Sequence, residues 1–211
     1  MSDPIKQLEW RYAVKKFDAD KLLSEGKINT LKQAFNLTAT SYGLQPISLV
    51  VVQNKELQKE LVAHSFEQLQ VAQASHILVI CIENTVDAAY ISNYFRQVKK
   101  VRGTSDAILN PFKEAMVENF SKKEIQEIKD WSKNQAYLAM GNLLTICAIE
   151  EIDSCPMEGF EPDAYDRLLD LGERGLTSVL VMPVGYRAKD DPFSTFKKVR
   201  KEMDDSIIDI F

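Results

Sequence analysis

Basic residues near both ends of the chain are the side chains whose types and spacing could bind a ligand. Arg11 and Lys15 are four residues apart, and Lys198 and Arg200 are two apart near the C-terminus. Brought together, these four cations would form a phosphate clamp, because arginine supplies a planar fork of donors and lysine a point charge. Each pair taken alone is more often part of a solvated surface, and composition cannot decide between the two interpretations.

The scarcity of histidine, cysteine and glycine disfavours several kinds of active site. The 211 residues include two His, three Cys and eight Gly. No HExxH, GxSxG, GxxxxGK[ST] or GxGxxG pattern occurs, which argues against a zinc protease, a hydrolase elbow, a P-loop and a Rossmann site. An odd number of cysteines without CxxC spacing favours buried reduced thiols over disulfides. We therefore expect no metal site.

The composition predicts a single globular domain over residues 1–211. Hydrophobic residues make up 45% of the chain and charged residues 27%, which is ordinary for a folded domain. The net charge of −5 and the pI of about 5.2 argue against nucleic acid as a partner. The N-terminus has no apolar leader, and the longest apolar stretch, 136–149, is too short to span a bilayer. We expect a cytoplasmic protein with no membrane partner.

The hydrophobic pattern predicts helices and strands without regular βαβ alternation, which indicates the α+β class. Continuous β-branched and apolar runs predict buried strands at 47–52, 76–82 and 177–184. A loose, glycine-containing connection is expected over 102–110. Helical spacing and capping residues predict helices at 4–10, 24–37, 56–63, 67–73, 86–101, 112–120 and 162–171.

The longest helical pattern begins at Ser121, where Glu124 three residues later would complete a capping box. Its first half is amphipathic, whereas 136–149 is apolar nearly all round, so the helix must enter the interior or a large interface. Close helix–helix approach across a two-fold axis would account for Gly141 in its middle, where glycine costs about 1 kcal/mol against alanine. The apolar tail 207–211 would pack as a strand, on this chain or on a partner subunit.

Short motifs occur in a fixed order along the chain. Arg11-Tyr-Ala-Val-Lys-Lys-Phe17 combines basic, small and aromatic residues, and the Thr40–Pro46 loop ends in Gln-Pro. Pro156-Met-Glu-Gly-Phe160 follows, and then Pro183-Val-Gly precedes Lys198-Val-Arg200. In this order the motifs resemble those of the FMN-dependent nitroreductase family, and the resemblance covers nearly the whole chain. The most similar subgroup is that of the oxygen-insensitive NAD(P)H nitroreductases and dihydropteridine reductases.

The resemblance implies a nitroreductase-like fold, with a central, mostly antiparallel sheet flanked by helices, in an intertwined homodimer. FMN would bind in two clefts at the subunit interface, and NAD(P)H would be a transient reductant. The activity would be a ping-pong, two-electron reduction of small-molecule acceptors, nitroaromatics or quinones, through hydride at flavin N5. Dehalogenation or flavin destruction in the same fold, and a non-enzymatic flavin-binding protein, are the alternatives.

The resemblance also implies what the basic residues do. Arg11, Lys198 and Arg200 would hold the FMN phosphate. Lys15 would point at the pyrimidine edge of the flavin, where a cation stabilises negative charge and raises the reduction potential. The two pairs of cations from opposite ends of the chain would therefore act in one site.

Other site residues follow from the same resemblance. The backbone N–H of Glu158 or Gly159 would hydrogen-bond flavin N5, so no side chain is needed as a catalytic group. Thr40, Ser41 and Gln45 would come from the partner subunit. The complete predicted cofactor-binding set is Arg11, Tyr12, Ala13, Lys15, Thr40, Ser41, Gly43, Gln45, Glu67, Gln70, Pro156, Met157, Glu158, Gly159, Lys198 and Arg200.

Four positions depart from the family pattern. Ala13 stands where a phosphate-binding Ser is frequent, and Gly43 and Glu67 stand where Asn is common. Gln70, expected on the ribityl or pyrimidine side, stands where similar proteins carry a second Lys. The site would then have one cation fewer, which predicts a lower flavin reduction potential than in Lys-bearing relatives.

Overall fold

The computed structural model describes residues 3–211, so the first two residues of the predicted domain lie outside it. Four strands are present in this part of the chain: β1 (Ile47–Val52), β2 (His76–Glu83), β3 (Asp153–Ser154) and β4 (Leu176–Gly185). The first five helices are α1 (Pro4–Trp10), α2 (Glu25–Asn36), α3 (Lys55–Ala63), α4 (Gln70–Gln73) and α5 (Ala88–Arg102). They are followed by α6 (Asp106–Ser121), α7 (Ile125–Ile149), α8 (Pro162–Leu168) and α9 (Met203–Ser206). Short 3₁₀ turns occupy Ser41–Gly43 and Gly172–Arg174.

The strands form one antiparallel sheet in the order β1-β2-β4-β3. Ile47 pairs with Ile82 between β1 and β2, and Ile77 pairs with Pro183 between β2 and β4. All residues of β2 except the last are buried, which explains its continuous apolar sequence: both faces of the sheet are covered. The three predicted strands, the α+β class and the antiparallel sheet are confirmed.

The two faces of the sheet support separate parts of the core. Because successive side chains of a strand point to opposite faces, Leu78 and Ile80 lie with α2 and α7, whereas Ile77 and Val79 lie on the other side with Tyr165. A third apolar cluster joins α5, α6 and the start of α7. The sheet is therefore a rigid layer, and the segments that flank β4 are held against it.

The predicted start of the long helix is wrong. Ser121 is the last residue of α6, where its hydroxyl donates to the Glu118 carbonyl. The cap of α7 is Glu124, whose backbone N–H donates to Glu127. The capping box thus lies three residues further along, because α6 extends through Ser121 and a turn separates it from α7. No helix within residues 3–211 has the length and apolar character needed to cross a membrane.

Several other boundaries differ from the prediction. The expected loose connection 102–110 ends early, because Asp106 already begins α6. The helix predicted over 67–73 is reduced to α4, since Glu67 has a positive φ of 57°. The helix from Pro162 ends at Leu168 rather than Leu171, shortly before Asp170, which also has a positive φ. The tail 207–211 is exposed and forms no strand with the described part of this chain, so its packing on a partner stays a prediction.

Candidate functional site

Strand β4 brings together the N-terminal and the central motifs. Ser154 pairs with Val184 of β4, and beyond it Cys155 donates its N–H to the Pro183 carbonyl at 3.0 Å. Ala13 forms a parallel bridge with Ser154 on the other side. The segment that contains Arg11 and the turn that follows Cys155 are therefore neighbours, although they lie about 140 residues apart in the sequence.

The four basic residues meet at one cavity of about 340 Å³. We call Arg11, Lys15, Lys198 and Arg200 the cation cluster. The ammonium of Lys198 donates to the Arg11 carbonyl, which links the C-terminal segment to the N-terminal one. The cavity is lined by Arg11, Tyr12, Ala13, Lys15, Phe193, Phe196, Lys197, Lys198 and Arg200.

The cation cluster has an unbalanced positive charge. Across residues 3–211, none of its four members lies within 4.0 Å of a carboxylate oxygen. Partial burial and the nearby Arg200 lower the pKa of Arg11, and burial together with Arg11 and Arg200 lowers the pKa of Lys198. Arg11 Nε is buried and has no hydrogen-bond partner within residues 3–211. Such a cluster is suited to bind an anion, because a bound anion relieves the repulsion among the cations.

Lys15 and Gln70 converge on Cys155. Lys15 Nζ lies 3.7 Å and Gln70 Nε2 3.9 Å from the sulfur of this fully buried residue. Burial raises the pKa of the Cys155 thiol, which keeps it protonated at neutral pH. Gln70 also donates to Gln68 Oε1 at 3.0 Å. The structure thus places Lys15 and Gln70 on either side of a neutral thiol.

The Pro156–Phe160 turn is held by backbone pairing and by one side chain. Met157 is buried and bridges Val181 of β4. Gln68 Nε2 donates to the Gly159 carbonyl at 2.8 Å, and a Cβ on Gly159 would lie 3.3 Å from that nitrogen. Gly159 therefore allows a close approach that a larger residue would crowd. Gln68 was missing from the predicted set, although it stands two residues before Gln70.

A second cavity, of about 490 Å³, lies between this turn and helix α7. The hydroxyl of Tyr137 donates to Glu158 Oε1 at 2.8 Å across its edge, and this bond raises the pKa of Tyr137. The cavity is lined by Tyr137, Met140, Gly141, Leu144, Pro156, Met157, Glu158 and Leu180. Pro156, Met157 and Glu158 thus face α7 rather than the cavity of the cation cluster.

The Thr40–Pro46 loop lies against different elements. Ser41 donates its N–H to Gln135 Oε1 of α7 at 2.8 Å, and Gln45 donates its amide to the carbonyl at the end of α2. Thr40 accepts a bond from the Gln45 backbone. Gly43 has a φ of +70°, and a Cβ there would lie 2.7 Å from the Tyr94 hydroxyl. Within one chain this loop lines neither cavity described above.

The remaining member of the predicted set, Glu67, is exposed in the short turn before α4. Its side chain forms no hydrogen bond with other described residues, and its backbone N–H donates to the Val62 carbonyl. Glu67 is thus adjacent to Gln68 in the sequence, but its side chain forms no hydrogen bond or ion pair with the cation cluster among the described residues.

Sequence reasoning missed an aromatic-lined ion pair beside the cation cluster. Arg187 pairs with the buried Asp153 at 2.6 Å, and its guanidinium lies 4.2 Å from the Trp10 ring and 4.6 Å from the Tyr12 ring. Both aromatic faces attract the guanidinium. A motif spacing could not reveal this arrangement, because its members come from three distant segments.

Comparisons with known proteins identify the family of this chain. The family model described as "Nitroreductase family" matches residues 8–186. A Staphylococcus saprophyticus protein provisionally named an NAD(P)H nitroreductase is 34% identical over 206 residues, covering 94% of this chain and 92% of its own.

Solved structures show the same fold. A provisionally named nitroreductase from Bacillus subtilis has a TM-score of 0.86 at 16% identity and covers 98% of both chains. A provisionally named nitroreductase from Exiguobacterium sibiricum, in complex with FMN, has a TM-score of 0.84 at 16% identity and covers 97% of this chain and 96% of its own. At such identities the likeness shows the fold alone.

Proposed function

Because this chain belongs to the nitroreductase family, we propose that it is an FMN-dependent NAD(P)H oxidoreductase acting on nitroaromatics or quinones. The observation that carries the proposal is the cation cluster: four basic side chains meet at a cavity without a carboxylate partner among the described residues. A flavin mononucleotide carries a phosphate that such a cluster can bind.

The described residues fit the phosphate end of FMN. Arg11, Lys198 and Arg200 would hold the phosphate, and the buried Arg11 Nε, which has no partner among the described residues, would gain an acceptor. A buried donor without a partner is costly, so binding an anion there gains the free energy of an otherwise missing hydrogen bond. The Lys15 ammonium lies near the buried Cys155, where its charge is available to a second polar part of the ligand.

Bound FMN supplies the hydride chemistry between the reduced nicotinamide and the acceptor. Lys15 would stabilise negative charge at the pyrimidine edge through its ammonium. The N–H of Glu158 or Gly159 would donate to flavin N5. This close approach requires a glycine without Cβ at position 159 and the hydrogen bond from Gln68 that holds the Gly159 carbonyl. No side chain of this chain is required as a nucleophile, so reductant and acceptor would use one cleft in turn, in a ping-pong order.

We also propose that the active unit is a homodimer. Tyr137 and Leu138 of α7 are exposed at 49% and 55%, and no atom would lie within 4 Å of a Cβ added at Gly141. An apolar helix face of this kind is favourable only when a partner covers it. A second copy would cover it and would bring a second Thr40–Pro46 loop to the site.

An anaerobic titration tests the proposed function. The purified protein, with FMN added where necessary, is expected to show a visible flavin spectrum that NADPH or NADH bleaches and that a quinone or nitroaromatic restores. Separate titrations with the two reductants decide which nicotinamide is used. A colourless protein that takes up no added FMN would overturn the proposal, and a yellow protein that neither reductant bleaches would make it a flavin-binding protein without this activity.

A further inference from the structure

Asp191 is a buried carboxylate beside the cation cluster that the proposed function does not use. The residue is 2% exposed. Its Oδ2 accepts hydrogen bonds from the Tyr12 hydroxyl at 3.0 Å and from the backbone N–H groups of Lys15 at 3.0 Å and Lys16 at 3.3 Å. Its Oδ1 accepts a fourth bond from the N–H of Phe193 at 3.0 Å. Three of these donors are on the N-terminal segment and the fourth is on the C-terminal one.

The charge of Asp191 is satisfied without a cation. No lysine or arginine within residues 3–211 lies within 4.0 Å of its oxygens through a side-chain nitrogen. Burial by itself raises the pKa of this carboxyl, but hydrogen bonds from Phe193, Lys15, Lys16 and Tyr12 outweigh it, so the pKa lies below its usual value. The ionised carboxylate therefore binds neutral donors and leaves the charges of the cation cluster available to a ligand.

Asp191 also connects the two segments that carry the cations. Its bond to Lys15 spans 176 residues of sequence. Its own carbonyl accepts from the Ser194 hydroxyl at 2.8 Å, which turns the chain towards Lys198 and Arg200. Other links near these segments are the Lys198 bond to the Arg11 carbonyl and the Ala188 N–H bond to the Lys16 carbonyl. Lys16 also forms an exposed ion pair with Asp190.

We propose that Asp191 is a positioning residue that joins the segments 11–16 and 193–200 into one phosphate receptor. The inference rests on the proposed function, because the phosphate is that of FMN. A carboxylate suits this position because both of its oxygens accept hydrogen bonds. An asparagine could keep its amide oxygen on the three donors that now bind Oδ2, but its NH₂ group would then face the Phe193 N–H, and the negative charge would be lost. Loss of these part-buried hydrogen bonds would weaken the connection between the two segments, and the two pairs of cations would separate.

The test compares FMN with riboflavin, which lacks the phosphate. Apo-protein carrying Asp191→Asn is titrated with each flavin by fluorescence, and thermal unfolding is recorded to follow folding. We expect the FMN Kd to rise by about tenfold or more, as for loss of hydrogen bonds to a charged group. The riboflavin Kd should change by less than about threefold, because riboflavin makes no use of the phosphate receptor.

Asp190→Asn is the matched control, because it removes the same charge one residue earlier. Asp190 is exposed and pairs only with Lys16 among the described residues, so its variant should keep the preference for FMN over riboflavin. An Asp191→Asn protein that keeps the wild-type preference would overturn the inference alone. A wild-type protein that binds neither flavin would overturn the proposed function together with it.

A second variant keeps the inference testable if Asp191→Asn does not fold. Tyr12→Phe removes one of the four donors and leaves the carboxylate in place. It should reduce the FMN preference by about threefold, in line with the loss of one hydrogen bond. A fall in affinity for FMN and riboflavin by equal factors would show a general structural role and would contradict the positioning of the phosphate receptor.

Discussion

The cation cluster and the Thr40–Pro46 loop contain two parts of the predicted cofactor-binding set, and one chain assembles only the first. The cation cluster is joined by β4, by the Arg187–Asp153 ion pair and by Asp191, and it surrounds a cavity. The loop is held just as firmly, but against α2, α5 and α7. The motifs thus predicted that the cation cluster and the Thr40–Pro46 loop bind one cofactor, although within one chain they pack against different elements.

This difference is what a site shared between two subunits would require. Each chain would provide a complete phosphate receptor for one flavin and a preformed loop for the other. A rigid loop is suited to that role, because it loses little conformational entropy when the partner binds. Three experiments follow, from the largest expected effect to the smallest; the first two test the shared site and the third tests the potential of its flavin.

Leu138→Arg should have the largest effect, because it places a charge on the exposed apolar face of α7. In a two-fold interface the substitution occurs twice, and each unpaired charge would be buried. We expect the dimer Kd to rise by about 100-fold or more, with FMN lost from the resulting monomers. Sedimentation velocity with absorbance detection of protein and flavin measures both.

Val101→Arg is the control for this variant. Val101 is 71% exposed at the end of α5, next to other basic residues, and should tolerate the charge. A Leu138→Arg protein that remains dimeric and yellow would show that this face of α7 is not the interface.

Subunit complementation should give a smaller effect on FMN affinity, with a loss in each variant homodimer and a recovery in the heterodimer. Arg11→Ala removes a member of the cation cluster, and Gly43→Ala introduces a side chain at positive φ and against Tyr94. Each homodimer should bind FMN more weakly, by about tenfold for Arg11→Ala and about fivefold for Gly43→Ala. A heterodimer of the two variants should recover one site of wild-type affinity, because one cleft then contains Arg11 and Gly43.

Two-tag purification of the heterodimer followed by FMN titration measures this recovery. If the heterodimer shows no site of wild-type affinity, the loop serves its own chain. In that case the separation of the loop and the cation cluster would be a real difference from the predicted arrangement.

Gln70→Lys should have the smallest effect, confined to the reduction potential. Gln70 is only 5% exposed and contacts the sulfurs of Cys155 and Met157 without adding charge. A second ammonium beside Lys15 should raise the flavin midpoint potential by about 30 mV, equivalent to about 1.4 kcal/mol for two electrons. Glu60→Gln, an exposed substitution on α3 that changes the net charge by the same amount, should leave the potential unchanged. An unchanged or lower potential in Gln70→Lys would contradict the prediction that glutamine at this position lowers the flavin potential relative to Lys-bearing relatives.

The local hydrophobic pattern was sufficient to predict the positions of three buried strands and of most helices. The run from His76 to Ile82 is apolar because both sheet faces are covered, and that requirement can be read directly from the residues. Helix boundaries were less predictable: Ser121 and Glu124 satisfy a capping pattern, yet the chain places a turn between them. Backbone geometry also shifted boundaries: a positive φ at Glu67 precedes the late start of α4, and a positive φ at Asp170 follows the early end of α8.

The sequence by itself determined the fold class, the buried strands and the cations available to a ligand, because hydrophobic period and residue type are local properties. Only the tertiary structure decided that Arg11 and Lys198 meet, that Asp191 binds backbone groups of Lys15 and Lys16, and that Gln68 holds Gly159. A buried polar group accepts whichever donor the fold brings within about 3 Å. For Asp191 that donor is 176 residues away, which no spacing in the sequence could indicate.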